Sequence, residues 1–190
     1  ADCLLMNMPI TNPIRRLVYT TCEQGRGQII ARLRAEHPRL VVLSMWRRYG
    51  AGIGWLSGFT PYDPAWLDGL TRLVQQLRGI GAKVLVLGPI PDPHSVVPIC
   101  VSGDLDDATA CSQPRSTAVN GAGIAAESAA TKAAGGQYAD ITELFCTAER
   151  CPAIVGNTLV YLDWQHVTFE YSRLLAPVIG ALADRTLARG

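Results

Sequence analysis

Two short runs of aliphatic residues constrain the fold of this chain more than any other feature. Leu40–Leu43 has the sequence LVVL and Val84–Leu87 the sequence VLVL, with no polar residue at alternate positions. Strands buried on both faces have this unbroken apolar pattern, which is typical of parallel sheets covered by helices. Between the runs, Asp63 and Pro64 are favoured residues for the cap and the first position of a helix. This order predicts an α/β fold, specifically a three-layer α/β/α sandwich on a parallel sheet.

The rest of the chain continues the alternation of helices and strands. Apolar residues at helical spacing predict four helices: Cys22–Ala35, a helix from Pro64 to a stop near Gly79–Gly81, Ser116–Ala134 and Phe169–Leu187. Shorter elements are predicted at Leu17–Tyr19, Tyr138–Ile141, Thr142–Phe145 and Thr158–Leu162. Loops are predicted at Arg48–Tyr62, Pro89–Pro114 and Cys146–Asn157. Because no repeat or low-complexity linker interrupts this order, a single domain over residues 1–190 is predicted.

Composition excludes several classes of function. The 190 residues, 48% of them hydrophobic, are enough for one sizeable core. The formal net charge is +1, so nothing favours a nucleic-acid partner or a strongly anionic membrane surface. No apolar run reaches the roughly 18–20 residues that cross a bilayer, so a membrane anchor is expected only in a longer parent chain.

The six cysteines predict disulfides. An even count at close spacing permits them, although six cysteines allow 15 pairings. Neighbours in the sequence favour Cys3–Cys22, Cys100–Cys111 and Cys146–Cys151. Zinc is the alternative, but the chain has no C-x-x-C pair and its three histidines are scattered. We therefore expect no metal site, and we expect an oxidising compartment outside the cytoplasm.

The segment after the last predicted strand contains a carboxylate and an imidazole at close spacing. Asp163 and His166 lie three positions apart, just before the closing helix. An imidazole can take and return a proton near neutral pH, and a carboxylate can hold that ring in one tautomer. These two residues are therefore the predicted catalytic pair. The alternative is a helix entry, with Thr168 as the cap and His166 as an ordinary surface residue.

Further candidate site residues follow the predicted strands, where ligands of open α/β sheets bind. Trp46 and Arg47 follow the first apolar run and His94 follows the second, and all three are predicted substrate-binding residues. The alternatives are a core tryptophan, an exposed arginine and a solvated loop histidine. Ser44 stands at a strand end but lacks the small neighbours of a sharp nucleophile turn.

Several segments together resemble a known family. The motif DWQHVT at Asp163–Thr168 resembles the late D-x-x-H block of the SGNH, or GDSL-type, hydrolase fold. The other supporting segments are PRLVVLSMW at 38–46, VPIC at 97–100, Cys146 to Pro152, and VYLD through LAP at 160–177. Over most of its length the chain is similar to the extracytoplasmic SGNH domain fused to the membrane acyltransferase-3 domain of bacterial O-acyltransferases.

The resemblance implies a flavodoxin-like sandwich and Ser-His-Asp chemistry, with His166 as the general base and Asp163 as its partner. The Gly-Asp-Ser segment that holds the family's nucleophile is absent from these 190 residues. We therefore expect the first strand and the nucleophile upstream of residue 1, and the chain to be part of a larger domain. The family's G-x-N-D block is also absent near Ser44–Arg48, so the oxyanion donors are unassigned.

The expected function is that of an extracytoplasmic O-acyltransferase domain, without a cofactor. Its partners would be an acyl donor, a glycan or lipid acceptor of the cell envelope, and a fused transmembrane acyltransferase domain that tethers it. A free serine esterase uses the same residues and differs only in that water accepts the acyl group. A non-catalytic glycan-binding module is the alternative of another class, since a fold does not fix a function.

Overall fold

The computed structural model describes residues 3–11, 17–18, 20–49 and 59–189. The helices are α1 (Thr20–Glu36), α2 (Pro64–Gly79), α3 (Val97–Gly103), α4 (Arg115–Ala118), α5 (Gly121–Ala133) and α6 (Phe169–Ala188). The strands are β1 (Leu40–Leu43), β2 (Lys83–Leu87), β3 (Gln113–Pro114), β4 (Gln137–Ala139), β5 (Arg150–Cys151), β6 (Ile154–Val155) and β7 (Thr158–Leu159). Short 3₁₀ turns lie at Ala108–Cys111 and Thr142–Leu144.

The chain is organised as two compact units. The first comprises Ala1–Leu87, Ala122–Ala139 and Arg185–Gly190, and the second comprises Gly88–Gly121 and Asp140–Asp184. None of the helices in the described ranges combines the length and apolar character required to cross a membrane. The single-domain prediction stays a prediction.

A parallel sheet lies in the first unit, with the strand order β1-β2-β4. Leu40 is in register with Lys83 at one end of the first strand pair, and Leu87 is in register with Ala139 in the second. The helix α2 connects β1 to β2, as expected for parallel neighbours, which need a crossover connection. The predicted α/β class with a parallel sheet is confirmed.

The helix α2 follows its sequence signals closely. The Asp63 carboxylate accepts a hydrogen bond from the Trp66 backbone N–H at 2.8 Å, as a helix cap does. Its apolar stripe packs into the core of the first unit and consists of Trp66, Leu70, Leu73, Val74 and Leu77. The helix ends at Gly79, and Gly81 has a φ of 94°, a conformation that favours glycine before the chain enters β2.

Other boundaries differ from the predictions. The predicted helix Ser116–Ala134 is divided into α4 and α5. At the break, the Ala118 carbonyl accepts a hydrogen bond from the Asp92 N–H at 2.9 Å, a long-range contact that the sequence does not reveal. The prediction that β1 is fully buried is also wrong, because Val42 is 41% exposed. Among the described residues, β1 pairs only with β2, which leaves it as an edge strand.

Two of the predicted loops contain regular structure. The region Pro89–Pro114 includes the helix α3 and a 3₁₀ turn, which the Cys100–Cys111 disulfide joins. The region Cys146–Asn157 includes β5 and β6. The strand β6 forms a two-residue hairpin with β7 through Gly156-Asn157, and Gly156 has a φ of 59°. Such elements are too short to produce a periodic pattern, so tertiary contacts decide them. In the predicted strand Leu17–Tyr19, Val18 forms an isolated β-bridge with Thr11, and Tyr19 lies outside the described residues. Residues 50–58 of the predicted loop Arg48–Tyr62 also lie outside them.

All three predicted disulfides are present. Cys3 and Cys22 are joined in the first unit, with their Cα atoms 5.4 Å apart. The second unit holds the other two, Cys100–Cys111 and Cys146–Cys151. Each bond closes a short stretch of chain, which stabilises the fold by restricting the unfolded state.

A buried ion pair links the ends of strands in the first unit. The Arg47 guanidinium donates from Nη2 to Glu127 Oε2 at 3.0 Å and from Nε to Glu127 Oε1 at 3.2 Å. The two side chains are 4% and 0% exposed. Arg47 also donates to the carbonyl of Leu87 at 2.9 Å and to that of Met45, the residues at or just beyond the carboxyl ends of β2 and β1. Arg47 therefore ties the two strand ends to α5, which carries Glu127.

The Glu127 carboxylate has two further partners. Trp66 Nε1 donates to it at 2.8 Å and the Tyr138 hydroxyl at 3.1 Å. The ring of Tyr62 lies against Gly123, one turn earlier on α5, where a Cβ would come within 2.6 Å of it. Burial, together with the charge of Glu127, raises the pKa of Tyr62 to about 12. The Glu127 carboxylate is therefore the centre of a buried hydrogen-bond network with Arg47, Trp66 and Tyr138.

Replacing Arg47 by methionine is expected to lower the free energy of unfolding by about 3–5 kcal/mol, because the Glu127 carboxylate would stay buried without its cation. Pulse proteolysis in urea measures the change. The matched control is Arg32→Met in α1, where an exposed pair with Glu36 is broken and stability should hardly move. Unchanged stability of Arg47→Met with a raised KM for substrate would instead assign Arg47 to the substrate.

Candidate active site

The Asp163–His166 segment is the loop of a closed hairpin in the second unit. Tyr161 and Val167 form an antiparallel bridge at its base. The Leu162 N–H donates to the His166 carbonyl at 2.8 Å, which closes the loop one residue further in. The four residues 163–166 therefore have backbone connections at both ends that limit their freedom.

The Asp163 side chain organises this loop from within. Its Oδ1 accepts the backbone N–H groups of Gln165 and His166, each at 2.7 Å. Its Oδ2 lies 2.7 Å from His166 Nδ1. An ionised carboxylate can only accept, so Nδ1 carries the hydrogen and Nε2 has the free lone pair. One carboxylate thus fixes the turn, the position of the ring and its tautomer.

The electrostatics agree with this geometry. Partial burial raises the pKa of Asp163, but the hydrogen bonds from the His166 ring and from two backbone N–H groups outweigh it and hold the pKa below its usual range. The charged form therefore stabilises the folded loop above about pH 4, the ordinary value for aspartate. That stabilisation is lost as the pH falls through the lowered pKa of the folded state.

Three aromatic residues support the hairpin. The Phe145 ring lies 6.5 Å from the ring of Tyr161 and 5.6 Å from that of Tyr171, measured between centroids. The Tyr161 hydroxyl donates to the Pro91 carbonyl at 3.2 Å, and the Tyr171 hydroxyl donates to the Leu144 carbonyl at 2.5 Å. The first residue of the hairpin and the first turn of α6 are therefore anchored in the same cluster.

Thr168 joins the hairpin to α6. Its hydroxyl donates to the Leu159 carbonyl at 2.6 Å and accepts the Tyr171 N–H at 3.1 Å, which caps the helix. The predicted cap at Thr168 is confirmed. It coexists with the Asp163–His166 pair, so the two sequence interpretations do not exclude each other.

Replacing Thr168 by valine is expected to lower the free energy of unfolding by about 1–2 kcal/mol, because it removes the hydroxyl that bonds a part-buried carbonyl and caps a helix N–H. Thr168→Ser keeps the hydroxyl and should stay close to the wild type. Urea midpoints of the two variants measure the difference. A loss in Thr168→Ser with none in Thr168→Val would show that the methyl group, rather than the hydroxyl, supports the hairpin.

His94 lies in the same unit as the hairpin. Its Nε2 is 3.1 Å from the Thr117 carbonyl, and its Nδ1 is 3.7 Å from Asp92 Oδ2. The residue has a φ of 52°, and its N–H donates to Asp92 Oδ1 at 2.8 Å, which stabilises this unusual backbone. His94 is half-exposed, and its predicted role in substrate binding stays a prediction.

Trp46 and Arg47 belong to the first unit. Trp46 is partly buried and makes an edge-to-face contact with Tyr49 at 5.1 Å between centroids. The Arg47 guanidinium is engaged by Glu127 and by two carbonyls, as described above. These contacts favour an internal role for Arg47, and substrate binding by either residue stays a prediction.

The hairpin also presents two apolar side chains that the sequence analysis did not assign to the site. Leu162 is 61% exposed and Trp164 is 37% exposed, and they flank Asp163 in the chain. The available signal was their place in the sequence, since Trp164 lies within the DWQHVT motif and Leu162 directly precedes it. The His166 side chain is 62% exposed on the same loop.

Comparison with known protein families identifies the family of the chain that contains Asp163 and His166. The family described as "SGNH domain (fused to AT3 domains)" matches residues 3–181, nearly the whole chain. The chain belongs to this family. It is therefore a domain of the acyltransferase and esterase class, and related domains are fused to AT3 domains. No curated protein sequence matches it.

A solved structure gives the same fold for this SGNH domain. It is the periplasmic domain of the lipopolysaccharide acetyltransferase of Salmonella ser. Paratyphi A, with a TM-score of 0.70. The match covers 96% of this chain and 69% of that one, at 16% sequence identity. The similarity at this level of identity concerns the fold.

Proposed function

We propose that this SGNH domain transfers an acyl group by Ser-His-Asp chemistry, with His166 as the general base and Asp163 as its orienting partner. The observation that carries the proposal is the 2.7 Å contact between Asp163 Oδ2 and His166 Nδ1 on a closed hairpin. It leaves Nε2 as the proton acceptor on an exposed ring, which is the arrangement that serine catalysis requires. Membership of the SGNH family supports it.

The proposed reaction has two steps, acylation of the serine and transfer of the acyl group to the acceptor. A serine oxygen attacks the carbonyl carbon of the donor while His166 Nε2 takes the hydroxyl proton. The bond to the leaving oxygen then breaks, and the imidazolium returns the proton to that oxygen. In the second half, an acceptor hydroxyl gives its proton to Nε2 and attacks the acyl-serine, and the serine oxygen leaves and regains a proton. Asp163 stabilises the imidazolium in both halves.

The serine is proposed to come from a Gly-Asp-Ser segment upstream of residue 1, together with the first strand of the sheet. Among the described residues β1 pairs only with β2 and its Val42 is 41% exposed, which supports this, since a further strand could pair with the other side of β1. The oxyanion donors are left unassigned.

The acceptor is proposed to be a glycan or lipid of the cell envelope. The Salmonella protein with the same fold is a lipopolysaccharide acetyltransferase, and the family's SGNH domains are fused to AT3 domains. Three disulfides fit an oxidising compartment outside the cytoplasm. We therefore place the domain on the extracytoplasmic side, tethered by a transmembrane domain of the parent.

The test is to trap the acyl-enzyme. The full-length protein is mixed with p-nitrophenyl acetate, quenched in acid and mapped by peptide mass spectrometry. Acetyl on one serine is expected, and adding a glycan acceptor should discharge it faster than water does. Discharge to water alone would identify a serine esterase. No acetyl-serine, together with retained glycan binding, would identify a binding module.

A further inference from the structure

We infer that Trp164 is a substrate-binding residue that stacks against a pyranose ring of the acyl acceptor. The inference rests on the proposed function, because it assigns the acceptor to the same hairpin that holds the general base. It adds one contact to that function: the apolar face of a sugar ring in the acceptor stacks on the indole of Trp164.

The hairpin fixes the backbone on both sides of Trp164, two residues before the proposed general base. Trp164 lies between Asp163, whose carboxylate accepts two backbone N–H groups, and Gln165, which donates one of them at 2.7 Å. The backbone on both sides of the indole is therefore held by the group that orients His166. An aromatic side chain two residues from the general base, on a loop of this rigidity, can place a bound ring without ordering the loop first.

The exposure of the indole suits a sugar better than an acyl chain. Trp164 is 37% exposed, so part of its surface is buried and part faces solvent. An alkyl chain is stabilised by full enclosure, which an open loop does not offer. A pyranose has one apolar C–H face and hydroxyls around its rim, so it can cover an indole while its hydroxyls stay hydrated. Tryptophan combines a large apolar area with few rotatable bonds, which keeps the entropy cost of this contact low.

Leu162 extends the same surface. It is 61% exposed and precedes Asp163, and its N–H is fixed by the His166 carbonyl at 2.8 Å. In the chain, Leu162 and Trp164 flank Asp163, and His166 lies on the same short loop. The proposal is that a sugar bound to the indole presents one of its hydroxyl groups to Nε2, where an acceptor hydroxyl must lose its proton.

The test compares acceptors with and without a ring in the full-length protein. p-Nitrophenyl acetate is the donor, and the acceptors are the methyl pyranosides of glucose, galactose, mannose and rhamnose, with ethanol as the ring-free control. Trp164→Ala and Trp164→Leu are expected to raise KM for the best pyranoside about tenfold, and Trp164→Phe much less. The ratio of kcat/KM for the pyranoside to kcat/KM for ethanol should fall correspondingly. Leu105→Ala, which removes an 82% exposed apolar side chain elsewhere in the second unit, is the matched control.

Three results of the kinetic assay would overturn the inference. The first is an unchanged KM in Trp164→Ala. The second is equal loss of transfer to ethanol, which would place the indole against the donor's acyl group. The third is that no pyranoside outcompetes ethanol in the wild type. A second experiment tests the stacking contact independently of catalysis. Calorimetry measures binding of the pyranoside to His166→Ala, with and without Trp164→Ala, and needs no turnover. Full activity in His166→Ala would refute the proposed catalysis, whereas equal binding in the two proteins would refute the stacking contact.

Discussion

Replacing His166 by alanine in the full-length protein is expected to lower acyl transfer by about 10³- to 10⁶-fold. The imidazole is the group that the hairpin prepares to take a proton, since Asp163 holds its Nδ1 at 2.7 Å and leaves Nε2 available. Without it, the attacking hydroxyl must lose its proton to water. Release of p-nitrophenol and of acylated acceptor, measured together, gives the loss in each half of the reaction.

The fold should survive this change. The His166 side chain is 62% exposed, so it contributes little packing, and the backbone bonds of the hairpin do not involve the ring. A suitable control is His37→Asn, which removes an imidazole from the end of α1 at a φ of 47° that asparagine tolerates. Activity of His166→Ala close to that of the wild type would remove the catalytic role of the pair and favour a binding module.

The sequence predicted those features that depend on contacts between residues close together in the chain. Asp63 and Pro64 predicted where α2 begins, because a cap acts within one turn of its helix. The spacing of Asp163 and His166 predicted their pairing, because a three-residue turn can bring both side chains together without help from the rest of the fold. Each cysteine is also paired with its neighbour in the sequence, at separations of 19, 11 and 5 residues.

What the sequence did not predict depends on long-range contacts. Arg47 was predicted to bind substrate, with an exposed arginine as the alternative, and its buried contact with Glu127, 80 positions away in the chain, has no local signal. Nothing in the residues around Glu127 distinguishes a buried glutamate from an exposed one on an alanine-rich helix. The break between α4 and α5 likewise depends on a hydrogen bond from Asp92, which only the folded chain brings near Ala118. Such partners are decided by topology rather than by pattern.

Asp163→Asn is expected to reduce acyl transfer by up to about 10⁴-fold while the hairpin keeps its shape. The amide oxygen of asparagine can accept the backbone N–H groups of Gln165 and His166 as Asp163 Oδ1 does. Its NH₂ group then takes the place of Oδ2, 2.7 Å from His166 Nδ1. Because that group donates, Nδ1 must carry the lone pair and Nε2 the hydrogen, so the ring is held in the tautomer that cannot act as a base.

Asp163→Ala separates the two tasks of the carboxylate, because it removes the acceptor of the backbone N–H groups as well as the partner of the ring. Its activity should fall as far as that of Asp163→Asn, but its urea midpoint should fall further, since two N–H groups lose their acceptor. Asp92→Asn is the matched control: it changes the carboxylate beside the other histidine of the unit and should cost far less activity. The tautomer can be read directly from the ¹⁵N chemical shifts of His166. The shifts of Nδ1 and Nε2 in Asp163→Asn should be interchanged relative to those in the wild type. Wild-type activity in Asp163→Asn, or an unchanged tautomer, would mean that the carboxylate shapes the turn and does not direct the proton.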